Sequence, residues 1–131
     1  MRFRYFDPMQ QSTIEGDLTA GAEVAELVDL LTTLRADCVP ALELSGSDGS
    51  SMVLGVSADR AVVLWTSAEG TSSHSIGAAS GERMAFDYFG ALTQLPGHFA
   101  VPLATALDAA GGYVEAYATT GAVPALPLAA D

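Results

Sequence analysis

The chain has 131 residues, of which 50% are hydrophobic and 16% are charged, with 16 Asp and Glu against 5 Lys and Arg. This length predicts one domain over residues 1–131, and the hydrophobic fraction suffices for a buried core and excludes a disordered chain. The net charge of −11 opposes direct binding to nucleic acid or to an anionic membrane. It suits a basic partner protein, although acidity also simply keeps a small apolar protein soluble.

Targeting and redox signals are sparse. No stretch of about 18 uninterrupted apolar residues occurs, which predicts that the chain has no transmembrane helix. Two arginines near the start are not followed by an apolar segment, so we expect no signal peptide and a cytoplasmic location. Cys38 is the sole cysteine of the sequence, which excludes an intramolecular disulfide and a metal site built from several cysteines.

The first part of the chain predicts a weak strand and then a helix. Phe3 and Tyr5 alternate with arginines, which indicates an edge strand or an N-terminal arm. An amphipathic helix is predicted over about 20–35, because apolar residues recur there at helical spacing: Val24, Leu27, Val28, Leu31 and Leu34.

In the middle of the chain, β-like runs of residues are separated by short turns. Strands are predicted over 39–45, 52–56, 61–65 and 82–89, with a poorly specified one at 75–78. Since parallel strands need long crossover connections, these short turns predict an antiparallel meander.

The last part returns to helical spacing over about 102–119. Pro102 fits the first helical position, and the glycines Gly111 and Gly112 inside the pattern predict a bend. The segment 123–128 is either an edge strand or an apolar tail. The order helix, meander, helix predicts an α+β fold with both helices packed on one face of the sheet.

Sequence motifs for catalysis are missing. There is no phosphate-binding loop, no nucleophile elbow and no metalloprotease motif, and neither His74 nor His98 has a second His or Cys at chelating spacing. We therefore expect no metal and no cofactor. Asp87 lies between Phe86 and Tyr88, where it is either a desolvated carboxylate or the solvent-facing residue of a half-buried strand. If the chain is an enzyme, its candidate catalytic residues are Asp87, Tyr88 and His98.

Several short segments have a familiar order. They are Ala61-Val-Val-Leu-Trp65, Phe86-Asp-Tyr-Phe-Gly90, Leu95-Pro96, Val101-Pro102 with the helix that follows, and Thr120-Gly121-Ala-Val-Pro124. Over residues 61–124 this course resembles the Imm1 family of bacterial immunity proteins. The aromatic residue that such chains often carry after the last proline is absent here, where Leu126-Pro127-Leu128 stands.

The resemblance implies a small α+β protein that binds and neutralises a cognate toxin, commonly of the nucleic-acid deaminase class. Such a toxin needs a basic substrate cleft, which an acidic and aromatic surface can occlude. The candidate binding residues for that surface are Trp65, Glu69, Asp87, Tyr88 and Phe89.

The alternative is a small-molecule-binding protein or a biosynthetic enzyme that reuses the same fold. It would hold a small apolar molecule in a pocket near Trp65, Asp87 and Tyr88. An apolar cavity of about 300 Å³ or more, with Asp87 or His98 pointing inward, would favour this alternative.

Overall fold

The computed structural model describes residues 1–34, 38–77, 82–117 and 128–130, which form ten strands and two α-helices. Their bounds in chain order are β1 Arg2–Asp7, β2 Ser12–Asp17, α1 Ala22–Leu34, β3 Leu42–Ser45, β4 Ser51–Ser57, β5 Arg60–Thr66, β6 Ser72–Ser75, β7 Met84–Tyr88, β8 Ala91–Leu95, β9 Val101–Pro102, α2 Leu103–Tyr117 and β10 Leu128–Ala130. The predicted α+β class is confirmed. Neither helix has the length and hydropathy needed to cross a membrane.

Eight of the strands form one sheet in the order β10-β6-β5-β4-β3-β1-β2, with β9 paired to the start of β5. Strands β3 to β6 are consecutive neighbours in this order, so the predicted antiparallel meander is confirmed. The prediction of an edge strand or arm at the start is wrong, because β1 lies between β2 and β3. The edge of the sheet on this side is β2, a polar strand whose sequence lacks an apolar face.

Four predicted segments extend beyond the described residues. The first helix was predicted to reach residue 35 and the second residue 119, and both ends lie outside the described ranges. Residue 78 of the strand predicted over 75–78 also lies outside the described ranges, as do residues 123–127 of the segment 123–128. The described residues after the last proline pair with β6, as an edge strand.

Both helices pack on one face of the sheet, as predicted. Alternate residues of the central strands point to this face, because successive side chains of a strand point to opposite sides. The helices cover them with the apolar faces that the helical spacing predicts. The buried residues of this layer include Leu42, Leu44, Met52, Leu54, Val63 and Trp65 from the sheet and Val24, Val28, Leu31, Ala106, Ala110 and Tyr113 from the helices.

Gly111 allows the two helices to approach closely. The glycine pair Gly111 and Gly112 predicts a bend, and helix α2 continues through both residues. A Cβ atom on Gly21, just before α1, would lie 2.5 Å from the carbonyl oxygen of Gly111. The N–H of Gly21 donates to Glu115 Oε1 at 2.7 Å. These contacts explain small residues at this crossing of the helices.

The opposite face of the sheet is partly covered by a hairpin made of β7 and β8. Phe86 is fully buried on this face, against Ala41 and Val53. Its ring occupies the space that a side chain at Gly55 would fill. Because the sheet is buried on two faces here, β4 and β5 are continuous apolar runs and do not alternate.

We expect the substitution Gly55→Ala to destabilise the protein by about 1–3 kcal/mol, because overpacking a buried site forces its neighbours to move. The added Cβ would lie 2.4 Å from Phe86 Cδ1, in a side chain that is fully buried. The matched control is Gly112→Ala, where nothing lies within 4 Å of the added Cβ. There the free energy of unfolding should rise by up to about 1 kcal/mol. Urea unfolding of both variants measures the difference, and equal effects of the two would contradict this account of the hairpin contact.

Candidate functional site

The hairpin leaves a row of hydroxyl side chains uncovered on its face of the sheet. Ser45 on β3 lies opposite Ser51 on β4, Ser51 lies opposite Thr66 on β5, and Thr66 lies opposite Ser72 on β6. Residues that oppose one another in an antiparallel sheet share a face, and this face is the one that holds Val53 under the hairpin. We call these four residues the hydroxyl row.

A cleft of about 330 Å³ lies between the hydroxyl row and the edge of the hairpin. Short polar side chains in the row leave this space, while the aromatic residues of β7 bound it on the other side. The lining from the hairpin is Phe86, Tyr88 and Thr93, and the lining from the row is Ser51, Thr66 and Ser72.

Glu43 borders the cleft and connects a cluster of four residues. Its Oε1 accepts a hydrogen bond from Arg4 Nε at 2.6 Å, and its Oε2 lies 3.4 Å from the Tyr88 hydroxyl. The Arg4 guanidinium lies 4.8 Å from the centre of the Phe89 ring, which packs edge-on against Tyr88 at 5.0 Å. We call Arg4, Glu43, Tyr88 and Phe89 the rim cluster. It joins the hairpin to β1 and β3.

The pKa values of Tyr88 and Arg4 in the rim cluster are both raised. Burial raises the pKa of Tyr88 most, and the charge and hydrogen bond of Glu43 raise it further, against the opposing effect of Arg4. The hydrogen bond with Glu43 is the main cause that raises the pKa of Arg4. At neutral pH the Tyr88 hydroxyl is therefore protonated and points as a donor to Glu43.

The turn that carries Phe89 has an unusual backbone. Phe89 and Gly90 have φ angles of 50° and 92° and connect the paired residues Tyr88 and Ala91. Positive φ at both central residues is typical of a type I′ hairpin turn, in which Asn, Asp and Gly are preferred. A bulky residue rarely adopts this conformation. The ring contacts of Phe89 in the rim cluster offset its cost.

Asp87 stabilises this turn. Its Oδ1 accepts the N–H of Gly90 at 2.8 Å, and the side chain is buried. The backbone of Asp87 also pairs with Val39 and Ala41. The carboxylate thus holds the hairpin tip, and Asp87 is not among the residues that line the cleft.

The other sequence-predicted residues are spread over the molecule. Trp65 borders the cleft, but it is 7% exposed and its ring packs edge-on against Tyr113, with centroids 5.1 Å apart, on the helix face. Glu69 is exposed in the turn between β5 and β6. His98 is exposed in a 3₁₀ turn and packs edge-on against Phe99, outside the cleft lining. The structure therefore brings Asp87, Tyr88 and Phe89 together and places His98 apart from them.

Sequence reasoning missed Glu43, Arg4 and the hydroxyl row. Glu43 lies between two buried leucines, which signals that its side chain points to the opposite face of β3. Nothing in the sequence indicates that this face meets Arg4, which is 39 positions away. Among the described residues, no group of three or more His, Cys, Asp or Glu could hold a metal ion.

Comparison with known families gives one match. The model described as Immunity protein Imm1 matches residues 15–127, which confirms the resemblance first seen over 61–124. The matched range includes both helices, the meander and the β7–β8 hairpin. No curated protein matches the chain.

The raised pKa of Tyr88 makes stability depend on alkaline pH. Because the folded protein favours the protonated hydroxyl, its contribution is complete below the unfolded pKa of about 10 and is lost as pH rises through the folded pKa. We expect the free energy of unfolding to fall between about pH 9 and about pH 11, and to fall less in Tyr88→Phe. Tyr5, whose pKa is also raised by burial, is retained in both proteins and contributes to the loss that remains. Urea unfolding at the two pH values tests this, and an equal fall in both proteins would contradict it.

Proposed function

Since the chain belongs to the Imm1 family of immunity proteins, we propose that it neutralises a toxin by covering the toxin's basic substrate-binding surface. A toxin of the nucleic-acid deaminase class has such a surface, because its substrate is a polyanion. The observation that carries the proposal is the rim cluster, which places aromatic rings and a carboxylate together at the exposed end of the hairpin.

The charge of the molecule supports a basic partner. The net charge is −11, and the turns at the open end of the hydroxyl row carry the exposed carboxylates of Asp48 and Glu69. These two turns are neighbours, since a Cβ on Gly49 would lie 3.7 Å from the carbonyl oxygen of Ala68. Complementary charge speeds the encounter with a basic surface and disfavours wrong partners.

The hairpin end supplies the apolar centre of the proposed interface. Tyr88 is 36% exposed, and Leu92, which pairs with Asp87 and therefore lies on the other face of the hairpin, is 66% exposed. Exposed aromatic and aliphatic side chains surrounded by charged residues are typical of the centre of a protein interface. We assign contact with the toxin to Glu69, Tyr88 and Phe89. Asp87 holds the turn that carries Phe89, and the ring of Trp65 is buried against Tyr113 on the helix face.

A second candidate function is favoured by the cleft volume and by the apolar side chains of Val53, Leu64 and Phe86 in its lining. About 330 Å³ is within the range of sites that bind small molecules, as the alternative with an apolar ligand requires. The lining also carries hydroxyl groups, however, and neither Asp87 nor His98 belongs to it. Salt discriminates between the two functions, because charge-assisted toxin binding weakens when ionic strength rises from about 0.05 M to about 0.5 M, whereas apolar binding does not.

Co-expression in bacteria with a toxin domain of the nucleic-acid deaminase class tests the proposal. We expect the chain to restore growth and Leu92→Asp to abolish protection, with affinity weakened about thirtyfold or more, because a charge would enter the exposed apolar surface of the hairpin. The matched control is Leu30→Asp on α1, which is 44% exposed on the other side of the sheet and should protect fully.

Two outcomes would contradict the proposal. If the parent chain forms no complex with the purified toxin domain in a calorimetric titration, the immunity function fails for that toxin. If Leu92→Asp and Leu30→Asp protect equally well, the hairpin end is not the contact surface. Circular dichroism of both variants checks that they are folded.

A further inference from the structure

We infer that the cleft beside the rim cluster receives one arginine side chain of the partner. This inference rests on the proposed function and specifies how the toxin is recognised. The cleft has room for one long side chain, and its floor is the exposed half of a sheet face, so the arginine would enter from the solvent side along the edge of the hairpin.

The carboxylate of Glu43 is only half used inside the protein. Its Oε1 is held by Arg4 at 2.6 Å, whereas its Oε2 has the Tyr88 hydroxyl at 3.4 Å, which is long for such a bond. Oε2 can therefore accept a short charge-assisted hydrogen bond from an incoming cation. Because Arg4 already fixes this carboxylate, ordering it on binding costs little entropy.

The hydroxyl row suits the remaining donors of a guanidinium. A guanidinium has five N–H donors in a rigid plane, and one carboxylate oxygen cannot satisfy them all. Ser51, Thr66 and Ser72 line the same cleft, and each hydroxyl oxygen can accept a hydrogen bond. A compact ammonium would use fewer of these acceptors.

The wall of the cleft favours a planar cation over an anion. Tyr88 lines the wall, and arginine stacks on aromatic faces more readily than lysine does. Rim cluster residue Phe89 already holds the Arg4 guanidinium in this way, 4.8 Å from its ring centre. An acidic ligand would meet the net charge of −11. The combined lining therefore selects arginine.

The probe is the peptide acetyl-Gly-Arg-Gly-amide, titrated into the isotopically labelled protein and followed by amide chemical shifts. We expect saturable shifts at Ser51, Thr66, Ser72 and Thr93 with a millimolar dissociation constant. The matched probe has citrulline in place of arginine, which keeps the shape and removes the charge. The affinity of the citrulline peptide should be lower by a factor of about ten or more, because a charge-assisted hydrogen bond is lost.

Variants locate the site. Glu43→Gln should weaken the arginine peptide about tenfold, whereas Glu26→Gln, the same charge change at an exposed position of α1, should leave its affinity unchanged. If Glu43→Gln does not fold, Thr66→Val tests the floor by removing one hydroxyl at constant shape, and it should weaken the arginine peptide severalfold. Equal binding of arginine and citrulline, shifts at other residues, or full affinity in Thr66→Val would each overturn the inference.

The peptide titration needs no toxin, so its result is separate from that of the protection assay. If the chain protects cells but does not bind the peptide, the proposed function stands and the arginine inference is wrong. If the chain binds the peptide but forms no complex with the toxin domain, the proposed function fails for that toxin, and the assignment of the arginine to that toxin fails with it.

Discussion

The contact between Phe86 and Gly55 is the constraint on which the candidate site depends. It sets the β7–β8 hairpin directly on β4, with no side chain between the ring and the strand backbone. From this position β7 reaches β3 and β1, where Tyr88 and Phe89 meet Glu43 and Arg4. A larger residue at position 55 would lift the hairpin, and both the cleft and the rim cluster would lose their shape.

The two faces of the sheet differ in how far their apolar residues extend. The helix face is apolar along the whole length of the central strands, and it includes the ring of Trp65 against Tyr113. The hairpin face is apolar only beneath Phe86 and Met84, and it becomes polar at the hydroxyl row. This change from apolar to polar within one face creates a cleft at the boundary, because the hairpin ends where the apolar residues end.

Sequence reasoning succeeded where the pattern is local. The helical spacing around Val28 and the β-like run 61–65 predicted α1 and β5, and the short turns predicted an antiparallel sheet. It failed for β2 and β8, because edge strands with exposed polar side chains lack the alternation that marks a strand. Sequence reasoning found Tyr88 and Phe89 because aromatic residues cluster there and because the segment resembles the Imm1 family. Glu43 was not found, because its role comes from strand register, which places it opposite Arg4.

The polar edge strand β2 has a consequence for the behaviour of the protein at high concentration. An open strand edge can pair with the same edge of another copy and so begin aggregation. Here β2 carries the exposed carboxylates of Glu15 and Asp17, and Arg2 of the neighbouring strand already pairs with both. A second copy docking antiparallel to β2 would bring like charges together, which disfavours growth of a continuous sheet. The charges along β2 therefore favour separate copies over a sheet that grows through this edge.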